Sequence, residues 1–166
     1  MKPRMNYYQA APETIKALVA VEEQIQASGL EKSLIELVKT RASQINGCAF
    51  CIAMHTDEAL RDGESTERLT LLDAWEESSL YSEKERAALA WAEDVTLIAE
   101  SGASKESFEA LKAHFSEEEI GWLTFAIVQI NGWNRIAISS RAQYNRKMFE
   151  NAGQPNAAPE KAPEPA

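Results

Sequence analysis

The sequence predicts an all-α fold, and three observations carry that prediction. Apolar residues recur at three- and four-residue spacing along most of the 166-residue chain. Helix-start and helix-stop signals punctuate those runs. No stretch alternates apolar and polar residues between turn signals as a half-buried strand does. Asn46-Gly47 and Asn131-Gly132 resemble hairpin turns, but helical periodicity flanks both.

Each element follows from its own signals. Pro12 suits a first helical position, and Ile15, Leu18, Val19, Glu22 and Ile25 run to a stop at Ser28-Gly29. A second helix begins near Glu31, carries Leu34, Ile35, Leu37, Val38, Ala42 and Ile45, and ends at Asn46-Gly47. A third starts at about Cys48 and runs to Asp62-Gly63, and a short fourth covers 67–75. Ser82 with Glu85 forms a capping box that opens a helix running through Leu97-Ile98-Ala99. Ser104 caps the segment with Phe108, Leu111 and Phe115. Ser116 with Glu119 opens a long helix from Ile120 towards Ser140. One domain over 7–150 is expected. Residues 151–166 hold no aromatic or branched apolar side chain and are expected to be a disordered tail.

Composition narrows the function. The chain is 45% apolar and 26% charged, the balance of a globular protein, and its formal charge of −9 disfavours nucleic acid and anionic membranes as partners. No run approaches the roughly 18–20 apolar residues of a membrane span, and no apolar segment follows the basic N-terminal residues, so a cytoplasmic location is expected. The two cysteines sit three residues apart. A pair so close cannot staple a fold together, and in a reducing compartment it points to redox or metal chemistry.

Cys48-Ala49-Phe50-Cys51 is followed one turn later by His55. On a wheel turning about 100° per residue, with Cys48 at zero, Cys51 falls near 300° and His55 near 340°. Both sulfurs and the imidazole therefore share one face. Cysteines at i and i+3 have Cα atoms about 5 Å apart, within disulfide range. The break at Gly47 puts the pair at a helix N-terminus, where unpaired N–H groups favour a thiolate. His55 lies four residues after Cys51, within reach of that thiol's proton, while Cys48 is expected to be the more exposed sulfur. Zinc held by both thiolates, His55 and a carboxylate is an alternative, although no second Cys/His pair exists to complete a usual structural site. Two inert buried cysteines are the other. Arg41, one turn and a cap from Cys48, is a weaker candidate for assisting the thiolate. His114 reads as a charge at a helix C-terminus, and the four tryptophans as core or subunit contacts.

The stretch 36–55, ELVKTRASQINGCAFCIAMH, resembles the core motif of the AhpD-like alkylhydroperoxidase family, within the carboxymuconolactone decarboxylase superfamily. Asn131-Gly132-Trp133-Asn134-Arg135 is also similar to that family. The resemblance implies an AhpD-like helical domain completed by homo-oligomerisation, commonly as a trimer or hexamer. It implies a thiol peroxidase cycle on hydrogen or organic peroxides, with no cofactor. In it Cys51 attacks peroxide, Cys48 resolves the product to a disulfide, and Glu36 with His55 forms a proton relay. The implied partners are a dithiol reductant such as a lipoyl-bearing protein, and a peroxiredoxin. Family members often carry a histidine where this chain has Phe50. Helical periodicity alone puts Glu36 opposite the apolar arc of its helix, a solvated position, so here resemblance and periodicity disagree. A decarboxylase-type lyase and a non-enzymatic zinc-binding or redox-sensing module are the alternative functions. The cysteine pair has no use in the first.

Overall fold

A single helix, α3 (Lys32–Asn46), runs through the middle of the protein, and the other elements are laid around it. The computed structural model describes residues 2–145. In chain order these hold α1 (Tyr7–Ala10), α2 (Pro12–Gln26), α3, α4 (Ala49–Arg61), α5 (Thr66–Leu71), a 3-10 turn (Leu72–Ala74), α6 (Glu83–Thr96), α7 (Ile98–Ser101), α8 (Lys105–Lys112) and α9 (Glu117–Ser140). Among the described residues there is no strand, as the sequence predicts. Residues 146–166, which include the end of the expected domain and the whole expected tail, lie outside the described residues.

The predicted start signals are present as geometry. Ser82 Oγ accepts from the Glu85 backbone N–H while the Glu85 carboxylate takes the Ser82 N–H, and Ser116 with Glu119 repeats the arrangement. Ser104 caps α8. Three boundaries differ from expectation. The segment read as one helix over 67–75 tightens into a 3-10 turn at Leu72. The helix expected to pass through Leu97 breaks there, because the Ser101 hydroxyl donates to the Asp94 and Leu97 carbonyls and offers the backbone an alternative path. Cys48 is the N-cap of α4 rather than its first helical residue.

Apolar packing fills both flanks of α3. One cluster joins Leu34, Ile35 and Val38 to Ile25, Trp91, Leu111, Phe115, Leu123 and Ile127. A second joins Leu37 to Ala59, Leu69, Leu72, Trp75 and Leu89. A third, smaller one holds Ala42, Cys48, Cys51, Ile130 and Ala137, with Phe50 and Trp133 at its edge. The N-terminal segment reaches this third cluster: the Arg4 backbone N–H donates to the Ser140 carbonyl at the end of α9, 2.8 Å away.

Because α3 is enclosed on nearly its whole circumference, even Lys39 is buried. Its ammonium pairs with Glu22 of α2 at 2.5 Å, and the same glutamate accepts the Trp133 indole N–H at 2.9 Å. Truncating the partner of a buried charge costs more than removing the charge itself. Glu22→Ala is therefore expected to destabilise the protein by about 3 kcal/mol, and Lys39→Met by distinctly less. Urea denaturation of the two variants checks the order.

Candidate active site

The site is assembled by the α3–α4 hairpin. Gly47 ends α3 at φ +68°, a left-handed conformation that a side chain disfavours, and Cys48 at φ −85° immediately caps α4. This two-residue link folds α4 back along α3. Lys32 then meets Asp62 at the open end, and Glu36 meets His55 midway.

Cys48 and Cys51 are free thiols, each about 1% exposed. Cys48 Sγ accepts from the Cys51 backbone N–H at 3.4 Å, as an N-cap oxygen would. Cys48 is thereby held well below the ordinary thiol range, at about 7. The Cys51 thiol donating to it contributes most, followed by the Cys51 N–H, the Asn134 amide and the charge of His55, against burial. Cys51 moves the opposite way. Its hydrogen bond onto Cys48 and its own burial push its thiol up. The two shifts run in opposite directions, and Cys48 is the more easily ionised of the two thiols.

His55 is buried, and its Nδ1 lies 2.8 Å from Glu36 Oε2 and 3.2 Å from Glu58 Oε2. A ring nitrogen facing two carboxylates donates, so Nδ1 carries a proton and Nε2 is the nitrogen left for chemistry. Burial alone would push His55 down, but bonding to Glu36 and Glu58 outweighs it and raises the imidazole above its ordinary value. Glu58 goes the other way. Desolvation is overcome by its bond to His55, and the carboxyl falls below the usual range.

The structure brings Glu36, Cys48, Cys51 and His55 into one buried region and alters three details of the reading. Glu36 is 2% exposed rather than solvated, because the wheel argument assumes a helix with one wet face and α3 has none. Cys48 is as buried as Cys51, since Ile130 and Ala137 of α9 cover both. Arg41 points away from the thiols to Glu93, 2.8 Å distant, and to Asp73. The potential metal-binding group among the described residues is Glu36, His55 and Glu58, whose ligand atoms lie within 4.8 Å of one another, and it contains neither cysteine. Sequence reasoning missed Glu58, although its i+3 spacing from His55 was a usable signal. It also gave no role to Asn134, which the structure buries completely.

Comparison with known proteins places this architecture. The uncharacterized protein YdfG of Bacillus subtilis is 42% identical over 139 residues, covering 84% of this chain and 95% of that one. The crystal structure of an Agrobacterium tumefaciens protein of unknown function, provisionally described as the antioxidant defence protein AhpD, superposes with a TM-score of 0.85. It shares 52% identity over 87% of this chain and 99% of that one. An uncharacterized peroxidase-related protein from Ralstonia eutropha, titled an alkylhydroperoxidase AhpD core, shares the fold at 20% identity and a TM-score of 0.75. It covers 90% of this chain and 80% of its own. The family model for carboxymuconolactone decarboxylases matches residues 12–94, the segment that carries the hairpin, both thiols and the Glu36–His55 contact. With that match and a 42%-identical relative covered over 95% of its length, the chain belongs to the carboxymuconolactone decarboxylase family.

Proposed function

We propose that this protein is a dithiol peroxidase that reduces hydrogen or organic peroxides through Cys48 and Cys51. The observation that carries the proposal is a pair of buried thiols at a helix N-terminus, Cys48 Sγ accepting the Cys51 backbone N–H, in the same buried region as a carboxylate-held imidazole. The 52%-identical relative, with its provisional antioxidant description, supports the same reading.

In the cycle, the Cys51 proton crosses to Cys48 as the Cys51 sulfur attacks the terminal peroxide oxygen. The O–O bond breaks, Cys51 becomes a sulfenic acid, and the leaving alkoxide takes a proton from His55 Nε2. Neutral His55 then accepts the Cys48 proton. Cys48 attacks the Cys51 sulfur, the S–O bond breaks, and hydroxide departs with that proton as water. Two thiols are oxidised to one disulfide while the peroxide is reduced to an alcohol and water. Glu36 orients the imidazole throughout. An external dithiol of the lipoyl type returns the pair to the thiol state, and a peroxiredoxin is a further candidate partner. Exposed apolar side chains on α9 (Phe125, Val128 and Ile138) support assembly with further copies of the chain.

After one equivalent of peroxide, Cys48→Ser, which lacks the acceptor for the Cys51 proton, is expected to label at Cys51 with a sulfenate-specific probe but more slowly than the wild type oxidises, while Cys51→Ser stays silent. Labelling of the variant that keeps only Cys48 moves the attack to that sulfur. Peroxide consumption with dihydrolipoamide is expected to exceed that with glutathione, and no consumption with any dithiol refutes the peroxidase assignment.

The pH profile follows from the two shifts. Cys48, lowered to about 7, must be ionised, and His55, raised above its ordinary 6.5, must hold its proton. Activity is expected to rise through about pH 7 and fall again as His55 deprotonates. His55→Ala should remove the falling limb and lower kcat/KM by about 10²-fold, and Glu36→Gln should lower it less. Stopped-flow peroxide reduction across pH checks both. Light scattering at micromolar concentration is expected to return a particle well above the 18.4 kDa of one chain.

A further inference from the structure

Asn134 sits on α9 between Ile130 and Ala137, the two residues of that helix that pack on Cys48 and Cys51. Its side chain is fully buried, and its orientation is fixed by what its neighbours can offer. The Asn46 amide donates to Asn134 Oδ1 at 2.8 Å. On the other side, Asn134 Nδ2 lies 3.0 Å from Ser43 Oγ, whose single proton is already committed to the Lys39 carbonyl 2.8 Å away. Ser43 can therefore only accept, so Nδ2 is the donor atom and one of its two N–H bonds is used there. Among the described residues no oxygen takes the second. A buried amide N–H without an acceptor costs on the order of 1–3 kcal/mol, and the acceptors that α4 presents in this cluster are the two sulfurs.

We infer that Asn134 is a positioning residue of the dithiol, its second amide N–H directed at the Cys48–Cys51 sulfurs to stabilise the thiolate. The lowering that the Asn134 amide exerts on both thiols agrees with this geometry. The same side chain holds Asn46, which directly precedes the Gly47-Cys48 link, so one residue fixes the cap and stabilises its charge. The inference rests on the dithiol reading of the site but not on peroxide being its substrate.

Other charges bear on Cys48 from each packed element. Cys51 and His55 act from α4. Glu36 of α3 acts through His55. Tyr7 of α1 lies near both sulfurs, and its phenol is raised to about 12 and stays neutral throughout the relevant range. From α9 the charged Arg135 is turned onto the Asn131 carbonyl and amide oxygens.

The test is a peroxide-free titration. Thiolate absorbance at 240 nm, followed against pH in the reduced protein, is expected to show Cys48 ionising near 7. Asn134→Leu, which keeps volume and removes both donors, should shift that midpoint upward by about one pH unit. Asn134→Gln, which restores a donor on a longer arm, should recover part of the shift. Thr96→Val, which cuts the network at Asn131 but leaves Asn134 in place, should not move it. An unmoved midpoint in a folded Asn134→Leu protein overturns the inference. Should that variant fail to fold, the wild-type 15N spectrum decides. The Asn134 side-chain amide resonances must shift with the Cys48 midpoint, and resonances that stay still while the thiol titrates overturn it equally. A protein that shows these shifts yet consumes no peroxide would sink the peroxidase proposal alone.

Discussion

Enclosing a polar helix on all sides is the constraint from which the rest of this structure follows. A buried charge or amide must be paired, and α3 brings Glu36, Lys39 and Ser43 into the interior with Asn46 half-buried at its end. Their partners lie on three different elements. Glu36 takes His55 of α4, Lys39 takes Glu22 of α2, and Ser43 and Asn46 take Asn134 of α9. Arg41, partly covered, reaches Glu93 of α6. The polar face that would ordinarily meet water thus becomes the set of contacts that fixes where α2, α4, α6 and α9 sit. Apolar packing supplies most of the driving force, but it is non-directional and would tolerate several registers. The paired polar groups select one.

The candidate chemistry is a by-product of the same constraint. Two carboxylates raise the imidazole of His55 above its ordinary value, and the thiol at the helix start beside it is lowered to about 7. Both sulfurs are buried, with Phe50, Trp133 and Ala142 packed at the edge of their cluster.

Much of this was legible in the sequence where the signal is local. The two capping boxes, the glycine stop before Cys48 and the shared face of Cys48, Cys51 and His55 depend on neighbours within a turn, and all appear in the structure. The places where periodicity failed are those decided by distant residues. Glu36 lies on the wheel's polar side only if that side faces water, and nothing within 32–46 reveals that α2, α4 and α9 close over it. Family resemblance supplied what the wheel could not. The role of Asn134 was not legible for the same reason: 131–135 resembles the family, but an asparagine in a mostly apolar helix carries no sign of which side chains it will meet some ninety residues earlier in the chain. The break at Leu97 hinged on one serine hydroxyl, Ser101, competing for a carbonyl.

The N-cap position of Cys48 has an electrochemical consequence. Every contact that stabilises its thiolate belongs to the reduced protein and weakens when the sulfur is bound into a disulfide, because a disulfide sulfur is a poor acceptor for the Cys51 N–H. Stabilising the reduced partner of a couple raises its midpoint potential. In the proposed dithiol cycle the folded scaffold would therefore make the Cys48–Cys51 disulfide more oxidising than the same two cysteines in an open chain.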